Sequence, residues 1–447
     1  MAAEHHPEHT EIEDEDEGDL FIDSGDVLAE VQDDGDHPMD DDDADDAHEG
    51  HEHGHDDDMA DIDVVYEDTS IHHFPHHTAS VFAISTHPTQ PIAASGGEDD
   101  LGYLWSIEDS AINNDDNTND DININDNIIA KLTGHTDSVT CTAFSADGEL
   151  VATGGMDGKV RIWRRVGKDD WKTWEFLTEL QGPDEVMKNC QWLRWHPKGS
   201  VLLAGSNDTT VWLWQLPSGN TMQVFAGHTG PVQCGDFTPD GKRIVTACSD
   251  GTLNLWDPRS PTPIFKLTSS DARFSLPGGI TSLAINASST LAVVGGAEGG
   301  VRVVSLSKGE VVGALEGHKE GESVEAVVFV DLAGAGVGGG SGVVVTGGTD
   351  GRGCIWDLST MRLRATLEHE DAVTALLAHP HPKTHLLTSA STDKLLRTWD
   401  ARTGNLLATH KGHQGPILAA ALAKGGDVVV SAGDDSICLV FATTEAS

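Results

Sequence analysis

A histidine, an aspartate 22 residues on and a tryptophan six residues beyond that recur along this chain, and few architectures can absorb such a spacing. The set occurs at His77/Asp99/Trp105, His135/Asp157/Trp163 and His228/Asp250/Trp256. It returns at His413/Asp435 with Phe441 in the last place, and at His369/Asp393/Trp399 with a spacing of 24. Trp214 and Trp356 also follow an aspartate by six residues, and Val301–Leu306 continues the rhythm with Ser305 in the tryptophan place. The terminal places fall at 105, 163, 214, 256, 305, 356, 399 and 441, which makes eight units. A fixed period of this size means stacked supersecondary units that share one core, not independent domains.

Inside a unit the grammar is that of β-hairpins. Val139–Phe144 alternates apolar and polar residues, Asp147-Gly148 makes a turn, Leu150–Thr153 forms a second strand, and Asp157-Gly158 turns into Val160–Trp163. Asp-Gly between short apolar runs is a strong hairpin signal. The chain resembles the WD-repeat family, whose units are four-stranded blades of a β-propeller. The resemblance implies an all-β, eight-bladed propeller spanning residues 63–447, after a tail of residues 1–62. It also implies that histidine, aspartate, tryptophan and a hydroxyl four residues before the aspartate form one buried hydrogen-bonded chain per blade. The sets are His135, Thr153, Asp157 and Trp163; His228, Thr246, Asp250 and Trp256; and His369, Ser389, Asp393 and Trp399. Ala204 and Gly295 stand in the hydroxyl place of the third and fifth units, which are expected to rely on apolar packing. A His–Asp–Ser set looks catalytic, but one repeated in unit after unit is scaffold. Each unit begins with the outer strand of the blade before it, so residues 63–76 are expected to close the ring onto the last blade.

Charge divides the chain. The first 130 residues carry 40 carboxylates and no Lys or Arg, the first basic residue being Lys131, within a total of −47. Phosphate neutralisation needs Lys and Arg, so direct nucleic-acid binding is not expected, and basic partners are favoured. Residues 1–62 are too acidic and too poor in large apolar side chains to offset the entropy of ordering, and are expected to be disordered. Within them Asp19-Leu20-Phe21-Ile22-Asp23 reads as an apolar island, with a short docking motif as the alternative. No apolar run is long enough for a membrane span, and the N-terminus lacks the pattern of a secretory signal. The six cysteines sit singly in strand-like runs, as small core residues of a reducing compartment. The expected location is the cytoplasm, with the nucleus as a second place, and the expected state is a monomer.

Other constellations yield no chemistry. The tract His48–Asp58 holds metal-ligand types, but nothing fixes a geometry, and a solvated tail is the preferred reading. Asn113–Asn127 lacks the glycine and terminal Glu of a calcium loop, and Gly338–Gly342 has no Lys in phosphate-loop register. No catalytic residue, metal ligand or cofactor is assigned. Surface recognition remains. The propeller face carrying the loop into each inner strand and the turn between second and third strands is expected to be acidic. Glu98, Asp137, Asp184, Glu185, Glu320, Glu322, Glu370, Asp371 and Asp434 fall there. Such a rim would hold an extended Arg/Lys-rich peptide by charge-assisted hydrogen bonds. Trp192, outside the repeated tryptophan place, could stack on an arginine or pack in the core.

The third and fourth units carry a closer resemblance. Leu180-Gln181-Gly182-Pro183-Asp184-Glu185, Trp195-His196-Pro197, Leu202–Pro217 and Met222–His228 are similar to the angio-associated migratory cell protein family. Its fungal members are ribosome-assembly factors. The resemblance implies a dedicated chaperone that grips the basic N-terminal segment of a new large-subunit ribosomal protein, the L-ten protein, and leads it to the pre-60S particle. The alternative is a general scaffold or substrate receptor in a signalling or ubiquitin-ligase complex.

Overall fold

The computed structural model describes residues 67–108, 127–167, 171–180, 189–332 and 342–443, all within a compact unit Val64–Ser447. The predicted tail with its apolar island and His-rich tract, and most of the Asn/Asp stretch and of the Gly-rich loop, lie outside these residues.

The described chain forms eight antiparallel sheets of four strands. Seven are built from consecutive strands, beginning with Val81–Thr86, Ile92–Gly97, Gly102–Ser106 and Ile128–Leu132. The eighth draws on both ends of the propeller: His72–Phe74 pairs with Cys438–Ala442, placing His72 opposite Val440 and Phe74 opposite Cys438. The innermost strands touch in a closed ring, that of the eighth blade meeting that of the first. This is an eight-bladed, all-β propeller.

Local sequence explains the blade. The residue after the turn aspartate has positive φ in all eight hairpins between second and third strands: Asp100, Gly158, Thr209, Gly251, Gly299, Gly351, Lys394 and Ser436. Glycine fills the place in four blades because it alone enters that region without a Cβ penalty. The pairing register shifts immediately before the tryptophan, as at Ile162/Trp163 and Ile355/Trp356. Such a bulge re-aims the large ring between sheets. Second strands such as Leu150–Gly155 and Val343–Gly348 are buried along their whole length, because blades cover both faces. Their near-continuous apolar runs are the sequence counterpart of that two-sided burial.

The seam between last and first blades is held by more than strand pairing. Phe74 is fully buried and stacks on Trp105 of the first blade, with ring centroids 4.6 Å apart and planes 10° apart. Thr86 Oγ1 donates to the Leu422 carbonyl at 2.5 Å, and Ser80 Oγ to Asp434 at 2.6 Å. All six cysteines are unbridged. Among the described residues no helix is long and apolar enough to cross a membrane.

The fifth blade corrects the sequence register by one residue. Gly299 takes the positive-φ place, so Glu298 stands in the aspartate place, Val294 in the hydroxyl place and Val304 in the tryptophan place. The register shift at Val303/Val304 marks the same position. Leu276 fills the histidine place: a Cβ on Gly296 would meet Leu276 Cδ2, as one on Gly155 would meet His135 Nδ1. Ser305 and Gly295 are therefore neighbours of those places. The polar chain is replaced by a Leu/Val/Val packing, with Phe274 also buried beside it.

Candidate functional site

The repeated polar sets are buried supports for the face above them. In the seventh blade His369 Nδ1 lies 3.1 Å from Asp393, its Nε2 lies 2.6 Å from Ser389 Oγ, and Trp399 Nε1 donates to Ser389 at 2.8 Å. The carboxylate can only accept, so Nδ1 carries the proton and Nε2 accepts from the hydroxyl, whose oxygen is free for the indole. His318, Asp350, Thr346 and Trp356 make the same chain in the sixth blade. Sequence spacing missed His318 because a ten-residue insertion stretches its distance to Asp350 to 32.

The second, fourth and third blades each depart from the expected set in their own way. In the second, His135 bonds to Asp157 at 3.1 Å and to Thr153 at 2.8 Å, but Trp163 is outside the chain. Its ring instead lies beneath the Arg161 guanidinium, 5.9 Å from the centroid. In the fourth, Thr246 joins His228 and Trp256 as expected, but Asp250 reaches His228 only through Thr252, by contacts of 2.7 and 2.5 Å. In the third, no histidine takes part, yet the blade is not purely apolar: Trp212 Nε1 donates to Thr210, whose hydroxyl bonds to Asp208. Burial pushes the Asp157 carboxyl up, and the His135 imidazole with backbone N–H groups more than reverses this. Asp250 and Asp393 end well below the ordinary carboxylate range, by the same competition of burial against several donors. Burial lowers His228 to about 4. His228, Cys248 and Asp250 bring donor atoms within 4.8 Å, but both imidazole nitrogens are occupied by threonine hydroxyls. That group is a hydrogen-bond relay.

Above these supports a backbone clip repeats in every blade. The residue before the turn aspartate donates its N–H to the carbonyl of the loop leading into the inner strand, as in Glu98 to Ser80, Met156 to Ser138, Thr349 to Ser323, Thr392 to Ala372 and Asp434 to Pro416. The clip defines a ring of eight equivalent side-chain places: Glu98, Met156, Asn207, Ser249, Ala297, Thr349, Thr392 and Asp434. Only two are acidic, and they are neighbours. Ser80 joins them, its carbonyl accepting from Glu98 and its hydroxyl donating to Asp434.

The remaining acidic candidates fall on the loops beside this ring. Glu370 and Asp371 are exposed on the seventh blade, Glu320 and Glu322 sit on the sixth, and Asp137 is exposed on the second. The carboxylates therefore run over blades six, seven, eight, one and two. Glu322 is partly spent, 3.6 Å from Lys319 and accepting from Thr349 Oγ1. Glu98, Asp137, Glu320, Glu370, Asp371 and Asp434 form no ion pair with a described Lys or Arg. Asp184 and Glu185 lie outside the described residues.

Trp192 does not belong to this face. It is 5 % exposed, wedged where a Cβ on Gly205 or Gly235 would strike its ring, and its Nε1 donates to Val232 O at 2.9 Å. No ring face is open to an arginine. Met156 is the residue that spacing overlooked: it holds a ring place beside Glu98 and is 42 % exposed. Its place before the turn aspartate was the available signal.

Comparisons with known proteins agree with this architecture. The family model "WD domain, G-beta repeat" matches residues 68–106, 126–164, 174–215, 219–257, 361–400 and 404–441. The human angio-associated migratory cell protein is 33% identical over 382 residues, covering 82% of this chain and 79% of that protein. The ribosome assembly protein SQT1 of Saccharomyces cerevisiae is 26% identical over 408 residues, covering 86% and 89%. Among solved structures, Chaetomium thermophilum Sqt1 bound to the N-terminus of the ribosomal protein L10 superposes with a TM-score of 0.73 at 28% identity, over 84% of this chain and all of that one. Repeat spacing, closure and these likenesses place the chain in the WD-repeat family, among the angio-associated migratory cell proteins and their Sqt1 relatives.

Proposed function

We propose that this propeller is a non-enzymatic escort for the basic N-terminal segment of a newly made large-subunit ribosomal protein of the L-ten type, which it delivers to pre-60S particles. The observation that carries the reading is the run of carboxylates without ion-pair partners across five neighbouring blades, with Glu98 and Asp434 side by side in the ring. The Sqt1 structure with the L10 N-terminus supports it, since that related propeller holds such a segment. Lys and Arg side chains of an extended peptide would meet Glu370, Asp371, Asp434 and Glu98 in turn, forming charge-assisted hydrogen bonds. Met156 offers a soft apolar contact at the end of that run. Backbone clips and buried polar chains hold the loops in place before binding, which lowers the ordering cost of association. Covering the basic segment would keep it from nucleic acid until delivery, in the cytoplasm and then the nucleus.

Titration of a labelled Arg/Lys-rich peptide from the N-terminus of an L-ten protein tests this. Binding should weaken steeply with added salt, and E370K/D371K should weaken it at least tenfold. No binding, or equal affinity after the double charge reversal, would sink the escort reading in favour of a general scaffold.

A further inference from the structure

The fifth blade, on which none of this rests, carries a charged feature of opposite sign. Arg161, Arg302 and Arg397 occupy one equivalent place, in the third strands of blades two, five and seven. Two of them have carboxylate partners. Arg161 faces Glu179 across the strand pair and bonds to it, and Arg397 bonds to Asp393 at 2.5 Å. Arg302 faces Ala314 instead. Its guanidinium donates to three backbone carbonyls, those of Arg273, Ser275 and Val301, at 2.9–3.1 Å, and to no described carboxylate. A positive charge thus stands where blade two holds a neutral pair.

Beside it lies a groove of about 300 Å³, lined by Ala272, Arg273, Arg302, Val311, Val312 and Ala314. Arg273 is paired with Asp271 at 2.9 Å, and Glu310 acts on it through space, so Arg302 supplies the uncompensated charge. The floor is the outermost strand of its sheet, Glu310–Leu315, which has no neighbour on its outer side. Val312 is 51% exposed on that strand. An edge strand with open N–H and C=O groups accepts a further strand, and side-chain pockets along it set the specificity.

The geometry points to a docking site for an extended acidic-apolar segment of a partner protein. It would lie along Glu310–Leu315 with one carboxylate on Arg302, where Glu179 sits in blade two, and an apolar neighbour on Val312. This site recognises negative charge and is separate from the carboxylate face, so the two readings can fail independently.

The probe is a fluorescent hexapeptide alternating aspartate and valine, titrated against the full chain, with the Asn-for-Asp peptide as its partner control. The wild type should bind the aspartate peptide at least tenfold more tightly than the asparagine one. A314E rebuilds the internal pair of blade two and should reduce binding at least tenfold without lowering Tm. R302Q should do the same, while E370K/D371K should leave it unchanged. Equal binding by wild type and A314E, or by the two peptides, overturns the proposal. So does inorganic phosphate binding at Arg302 with no binding of the peptide.

Discussion

At the residue scale, the indole N–H separates blades that look alike in sequence. Trp356 donates to Thr346 at 2.9 Å, whereas Trp105 Nε1 is buried with no partner among the described residues. Its ring is held by Phe74 instead. Trp356→Phe removes a made hydrogen bond and strands part of a polar chain, while Trp105→Phe removes only an unsatisfied donor. Denaturant unfolding should therefore show Trp356→Phe costing about 1–2 kcal/mol more than Trp105→Phe. Equal costs would show that ring volume alone matters. Titration of buried imidazoles gives a second prediction. Burial lowers His228, His379 and His410 to about 4, against an unfolded value near 6.5. Between those values the unfolded chain binds protons that the folded one does not, so stability present above pH 6.5 falls as pH drops toward 4. Each histidine contributes a slope on the order of 1 kcal/mol per pH unit. Urea midpoints at pH 7.5 and 5.0 should differ accordingly, and His410→Gln should shrink the difference.

At the scale of the element, the hairpin between second and third strands sets what the sequence could reveal. Turn aspartate, positive-φ residue and tryptophan lie within seven residues of one another, so their spacing survives insertions elsewhere. The histidine lies across the inner strand, and any lengthening of the first hairpin hides it, as at His318. Where the turn glycine is kept but the polar residues are lost, as around Gly299, spacing slips by one and Ser305 is mistaken for Val304. The family match likewise stops at residue 257 and resumes at 361, over the two blades with these departures. The rim was legible only as a set of loops; its division into eight clipped places needed the backbone, and Trp192 showed that an unassigned tryptophan is more simply a seam filler. The same hairpin offers a stabilising change. Lys394 holds φ 72° where four other blades use glycine. Lys394→Gly should raise stability by about 0.5–1 kcal/mol by removing left-handed strain. An unchanged or lower Tm would mean that its side chain contributes more than the backbone loses.

For the whole molecule, closure is the contact on which the others depend. Phe74 is fully buried between the last and first blades, on a strand of only three residues. Phe74→Ala should cost about 3–5 kcal/mol in urea unfolding. It should do so in a single transition if the ring opens as one cooperative unit. A loss below 1 kcal/mol would mean that side-chain contacts such as Thr86 to Leu422 suffice to hold the seam. Stability and recognition meet here, because Ser80 and Asp434 belong both to the seam and to the carboxylate ring.

Pairing His72–Phe74 with Cys438–Ala442 also sets a clock for biosynthesis. The first strand made has no partner until nearly every other strand has emerged, so seven blades can form while the ring stays open. During that interval the strand Cys438–Ala442 does not yet exist, and the ring cannot present Glu98 and Asp434 together. Recognition by that pair is therefore withheld until the strands of the last blade have been made.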